Sequence, residues 1–246
     1  MDEFLGVALS HQKAMLKQMD VIANNVANAS TTAFKGERLT FHERVEQMKG
    51  DAPRPLREMS FVTENGSRAD FSEGAIVKTG NTLDVALRGE GFLVVRNDEG
   101  EQLYTRRGGF QLRADGALIL PSGEQVLDEN DEPIMLDPQN ASISISEDGT
   151  LLDDVGPVAQ LRIVDFPDRD ALARRGNSLF ASDQTGNPAD DVRVLQGALE
   201  QSNVNPIDQI TRMISVMRGY QAMQRNLDDF GQTRERAIDR LPLIQA

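Results

Sequence analysis

From Leu5 onward, apolar residues fall at Leu5, Ala8, Met15, Met19, Ile22 and Val26, and only Gln12 breaks a spacing of three then four. This is a heptad seam along one side of an amphipathic helix, which the pattern predicts from Phe4 to about Asn28. A second helix is announced by SNVNPIDQI: Asn205 can cap the first free amides, Pro206 suits the first helical position, and Asp208 favours the positive end of the dipole. Two apolar rows follow. Ile207, Ile210, Ile214 and Met217 form one, and Met213, Val216, Tyr220, Met223, Leu227 and Phe230 form the other. Side by side, they make an apolar face wider than one partner helix covers.

Between the helices the periodicity changes. From Glu37 to about Asn81 it dissolves into Gly, Pro and charge, as in DAPRPLRE and ENGSRADFSEG, which reads as an extended connection with short strands. From Leu83 to about Ser182, short apolar runs such as LDVAL, FLVV, ALIL and SISIS alternate with turns such as RGEG, ADG, DENDEP and EDG. Asp115-Gly116 and Asp148-Gly149 are hairpin turn chemistry, because glycine accepts positive φ. In SISIS, Ile143 and Ile145 share one face and the serines the other. The region predicts an antiparallel β domain.

The expected fold class is therefore α+β: long N- and C-terminal amphipathic helices packing as a coiled-coil-like bundle, with a central antiparallel β-rich domain. Residues 1–36 with 204–246 form the helical assembly domain, 37–81 with 183–203 an extended connecting region, and 82–182 the β domain. If the two helices pair only with each other, the second row on the C-terminal helix stays in water; packed against copies from neighbouring chains, both rows are buried. The polar amides of Asn24, Asn25 and Asn28 could then join neighbouring helices or connecting segments without the cost of burying charge. The alternative is that they only terminate the helix.

Charge and composition narrow the chemistry. Among 246 residues, 26 are basic and 39 acidic, and a net charge of -13 repels phosphate backbones and anionic membranes. Nucleic acid is thereby disfavoured as a partner. No apolar run approaches the length needed to span a bilayer, and MDEFLGVALSHQK puts acids where a secretory leader carries basic residues, so neither a membrane anchor nor a cleavable leader is expected. Cysteine is absent, which removes thiolate chemistry, and the only histidines are His11 and His42. Two of the many carboxylates could flank a glycosidic bond, but no pairing signal singles them out, and solvated surface explains them. DENDEP lacks the central glycine and closing glutamate of a calcium loop and reads as a surface turn. RGEGF leads into another apolar β run instead of a helix, so it reads as a tight hairpin, not a phosphate cradle. At helical spacing, Met213, Met217 and Met223 read as core. No catalytic, cofactor-binding or metal-binding residue, no cofactor and no small-molecule substrate emerges.

ANNVANASTTAFK, at 23–35, resembles the N-terminal signature of the bacterial flagellar rod and hook proteins, and LEQSNVNPIDQITRMISVMRGYQAMQR, at 199–225, resembles their C-terminal signature. Between them, GNTLDVALRGEGFLVV and YTRRGGFQLRADGALILPSGEQVL are similar to the family's shared β domain. The compact connection before Gly80 and GPVAQLRIVDF followed by SLF are most similar to the proximal rod members, with the distal rod as rival. Ala33 and Arg218-Gly219-Tyr220 depart mildly from the signatures. The resemblance implies an axial structural component with no enzymatic activity. Its partners would be copies of itself and other rod proteins, and it would be exported through the flagellum's own secretion apparatus into the periplasm-spanning rod. The implied assembly interface comprises Leu5, Met15, Met19, Ile22, Asn24, Asn25, Val26, Asn28, Ile207, Ile210, Met213, Ile214, Met217, Tyr220 and Leu227. A β-rich binding module or adhesin whose helices form a private hairpin is the reading from another class.

Overall fold

The computed structural model describes residues 2–47, 58–138, 143–189 and 191–240. The chain divides into two units, one formed by Met1–Ala27, Glu37–Arg68 and Asn205–Ala246, the other by Asn28–Gly36 and Ala69–Val204.

The first unit contains α1 (Asp2–Ala27), β1 (Glu37–Gln47), β2 (Glu58–Ala69) and α2 (Pro206–Arg240). α2 starts as its sequence dictates: the Asn205 side chain accepts from the Ile207 amide at 3.0 Å, and Pro206 opens the helix. α1 and α2 pack on each other, and β1 pairs with β2. These two strands, of 11 and 12 residues, are longer than the short strands expected there. Ladder hydrogen bonds between strands need no apolar alternation, which is why charge-rich ERLTFHERVEQ can still be a strand.

One expectation is corrected. Among the described residues there are two α-helices, and they form a single pair; the coiled-coil-like bundle of long terminal helices is not present. An apolar row reports that a helix face needs cover, but not what supplies it, and within this chain one helix finds one partner. The N-terminal helix itself ends at Ala27, in line with the expected end near Asn28, and Asn28–Gly36 belongs to the other unit.

The second unit is the expected antiparallel β domain. Its strands are β3 (Ile76–Lys78), β4 (Val85–Arg88), β5 (Phe92–Arg96), β6 (Gln102–Thr105), β7 (Gln111–Leu112), β8 (Leu118–Ile119), β9 (Gln125–Val126), β10 (Ser144–Ile145), β11 (Thr150–Leu152) and β12 (Pro157–Gln160). β13 (Ile163–Asp165), β14 (Ala173–Arg174), β15 (Leu179–Ala181), β16 (Asn187–Pro188), β17 (Arg193–Gln196) and β18 (Ala198–Glu200) complete it. The main sheet runs β14-β15-β6-β5-β9-β8-β7, with β13 on β5 and β16 on β13. β10-β11-β12, β17-β4 and β18-β3 form smaller antiparallel sheets.

β5 explains why FLVV has no polar alternation. Leu93 and Val95 enter one apolar cluster with Leu87, Leu118 and Leu120, while Phe92 and Val94 enter another with Tyr104, Phe166 and Phe180. Both faces of the strand are buried, and each fully buried side chain contributes roughly 1.5–3 kcal/mol. In the second cluster Tyr104 meets Phe166 edge to face at 4.7 Å. Asp115-Gly116 and Asp148-Gly149 turn the β7-β8 and β10-β11 hairpins with glycine φ of 92° and 86°. RGEG does not close a hairpin: β4 pairs with β17 and β5 lies in the main sheet, so the turn carries the chain from one sheet to another. DENDEP is a turn in which the Asp128 carboxylate accepts from the Asn130 and Glu132 amides.

Candidate assembly surface and its anchorage

The two apolar rows of α2 meet different fates. Met213, Val216, Tyr220, Met223, Leu227 and Phe230 are half-buried. Gly219, three residues after Val216 and four before Met223, lies on the same strip, and a Cβ placed there would stand 3.2 Å from Met15 Cε on α1. The absent side chain thus brings Met15 close to the α2 backbone. The other row remains outside: Ile207 is 73% exposed, Ile210 47%, Ile214 41% and Met217 43%. Leu9 and Leu16 of α1 are exposed as well. Leaving four large apolar side chains in one line on a single helix forgoes several kcal/mol of burial.

On α1, Ile22 is buried, while Met15, Met19 and Val26 are half-buried. Leu5 lies on the helix, its side chain outside the described set. Asn25, almost fully buried, donates from Nδ2 to the Glu37 carbonyl at 2.9 Å and accepts at Oδ1 from the Glu37 amide at 2.8 Å. Asn28 Oδ1 accepts from the Thr31 hydroxyl at 3.2 Å, and its carbonyl accepts from the Thr31 amide, which makes a turn just past the helix. Asn24 is exposed. The structure therefore gathers Met15 and the half-buried α2 row in the helix pair, turns Asn25 onto β1, and leaves Ile207, Ile210, Ile214 and Met217 as a separate open line.

The segments that carry the resemblance also hold residues that sequence reasoning passed over. Lys35, Arg106 and Glu200 are buried in the β unit. Lys35 Nζ donates to Glu200 Oε1 at 2.6 Å and to the Ser72 carbonyl at 2.6 Å. Arg106 Nε donates to Glu200 Oε2 at 2.7 Å, and its remaining nitrogens reach the carbonyls of Leu87, Gly89 and Gly91. Glu200 Oε1 also accepts from the Gly74 amide at 2.8 Å. A buried carboxylate is tolerated here because two cations and an amide saturate it. Burial pushes the Glu200 carboxyl up, but Arg106 and then Lys35 outweigh it and hold the group below the ordinary glutamate value. Burial pulls the Lys35 ammonium below the usual lysine range, with Glu200 acting against it. One signal was available: strand alternation places Glu200 on the same inward side as buried Ala198.

Among the described residues no three His, Asp or Glu side chains gather as a metal site, and no helix is long and apolar enough to cross a membrane. What the geometry offers is a surface and an anchorage.

Three families match in order along the chain: "Flagella basal body rod protein" at residues 5–35, "Flagellar hook protein FlgE/F/G D1 domain" at 86–152, and "Flagellar basal body rod FlgEFG protein C-terminal" at 195–240. The flagellar basal-body rod protein FlgF of Caulobacter vibrioides is 34% identical over 99% of this chain and 100% of its own length. FlgF of Mesorhizobium japonicum is 32% identical over 90% of each. The rod protein FlgG of Bacillus subtilis is 32% identical over 87% of this chain and 89% of its own. These similarities put the chain in a class of structural proteins, the axial proteins of the bacterial flagellum. Within that class, it belongs to the flagellar basal-body rod protein family. It is a structural component of the basal-body rod and assembles with other rod proteins.

Proposed function

We propose that the open row of α2, Ile207, Ile210, Ile214 and Met217, is a surface on which neighbouring subunits of the rod pack, and that Leu5, Asn24 and Asn28 are further packing positions. Met15, Met19, Ile22, Asn25, Val26, Met213, Tyr220 and Leu227 serve the same interface from behind, by holding the helix pair that presents it. The observation that carries this reading is the line of large apolar side chains left in water although the partner helix covers the adjacent row. Burying such a row against another subunit recovers the missing hydrophobic free energy.

The occupants are copies of this chain and other rod proteins, joined head to tail along a screw, because a contact between unlike surfaces propagates instead of closing. Torque passes along such a shaft because many side-by-side contacts must slip together. The overall similarity to FlgF favours a place in the proximal rod. The chain reaches the periplasm-spanning rod through the flagellar export apparatus, and its lack of cysteine suits passage as an unfolded thread. Tracing the chain in an intact basal body is the test. Ile210 and Ile214 covered by another subunit's side chains is the expected result; the same row facing open solvent in the assembled rod overturns the reading.

A further inference from the structure

The chain passes between its two units at four places: after Ala27, Gly36, Arg68 and Val204. Within the β unit, three of these crossings are tied to one another. The Gly36 amide donates to Asn203 Oδ1 at 2.8 Å, Asn203 Nδ2 donates to the Asp70 carbonyl at 2.7 Å, and the Asp70 amide donates to the Gly36 carbonyl at 2.7 Å. These bonds close a ring. The residues beside it are held as firmly: the Ala33 amide donates to the Glu200 carbonyl at 2.8 Å, the Asn203 amide to the Phe34 carbonyl at 3.3 Å, and Asn203 Nδ2 also reaches the Ser72 carbonyl and hydroxyl. Beneath lies Lys35, joining Glu200 and Ser72. Arg174 closes the outer side, its guanidinium 4.7 Å from the centre of the Phe34 ring and bonded to the Lys35 carbonyl.

We propose that this ring is a mechanical joint, with Asn203 and Lys35 as its positioning residues, through which load carried by the terminal segments enters the β unit. The inference rests on the torque-bearing reading above and adds where the load passes. Three separate crossings would let each strand of chain yield alone. Tied through one amide side chain over a buried ion cluster, they yield together or not at all. Both chain ends supply parts, Gly36 from one and Asn203 and Glu200 from the other, so neither segment is seated without its counterpart.

Amide hydrogen exchange on the purified full-length chain tests the cooperativity. In Asn203→Ala, the Ala33 and Asp70 amides should exchange about tenfold faster or more, the effect of roughly one net hydrogen bond, although neither bonds to the Asn203 side chain. The Leu93 and Val95 amides of the sheet core should keep their protection. Faster exchange confined to Gly36, whose partner has been removed, overturns the joint. If Asn203→Ala unfolds the β unit, Lys35→Met carries the same test: Asp70 and Asn203 amides, neither bonded to the Lys35 side chain, should open together, and unchanged protection there overturns it. Ile214→Asp, which probes the assembly surface alone, should leave Ala33 and Asp70 protected, so failure of the joint and failure of the surface are read apart.

Discussion

Asn25 meets Glu37 with both ends of its amide, donating to the carbonyl at 2.9 Å and accepting from the amide at 2.8 Å across twelve residues of chain. A primary amide is suited to this, since it carries donor and acceptor side by side and so satisfies one residue's backbone without burying charge. Asn203 does similar work in the β unit. The polar richness of the two signatures is, in large part, a supply of such side chains at points where backbone leaves regular structure.

Asn25→Leu should therefore orphan the Glu37 amide and carbonyl and destabilise the helix-strand unit by about 1–3 kcal/mol. Denaturant unfolding, with faster exchange at the Glu37 amide, checks it.

Ala33 sits at φ 54°, in the left-handed region that costs a Cβ-bearing residue, and it is buried with its amide bonded to Glu200. Ala33→Gly should stabilise the β unit by up to about 1 kcal/mol, because relief of the backbone exceeds glycine's entropic cost. A rise in the unfolding midpoint of the β unit is the expected result.

The Glu200 carboxyl lies below its ordinary value of 4.5 because Arg106 and Lys35 overcome the effect of burial. The folded chain thus binds this proton more weakly than the unfolded chain. The stability contributed is complete above that ordinary value and is lost as the pH falls through it toward the lower folded one. Unfolding midpoints across this acid window should fall less steeply in Glu200→Gln than in the unaltered chain. At neutral pH the substitution should cost about 3–5 kcal/mol, since it strips a buried cation pair of its counter-charge.

Ile22 and Ile214 are both apolar residues on terminal helices, yet they should behave oppositely. Ile22 is buried within the chain, so Ile22→Asp should destabilise the isolated protein by about 3 kcal/mol or more. Ile214 is exposed, so Ile214→Asp should change isolated stability by no more than about 0.5 kcal/mol while abolishing rod assembly and swimming. Unfolding curves paired with motility assays separate the two effects.

The sequence was legible where a pattern has one physical meaning. The Asn205-Pro206 helix start, the Asp-Gly hairpins and the split of α2 into two rows follow from local rules, and the structure carries all three. What was not legible depends on distant partners. Lys35 and Glu200 are 165 positions apart, and a lone charge in sequence reads as solvated surface until the fold brings its counter-ion near. The bundle expectation failed for a related reason: an apolar face specifies burial, and only the fold shows that one row is covered within the chain and the other left open. The length of β1 and β2 was missed because backbone pairing leaves little trace in side-chain pattern.

The most direct measurement uses the absence of native cysteine, which makes any introduced thiol unique. Ile210→Cys should react readily with a maleimide in the isolated chain and become protected in intact basal bodies, because a neighbouring subunit covers the row. Equal reactivity in the isolated chain and in the assembled rod would contradict the account.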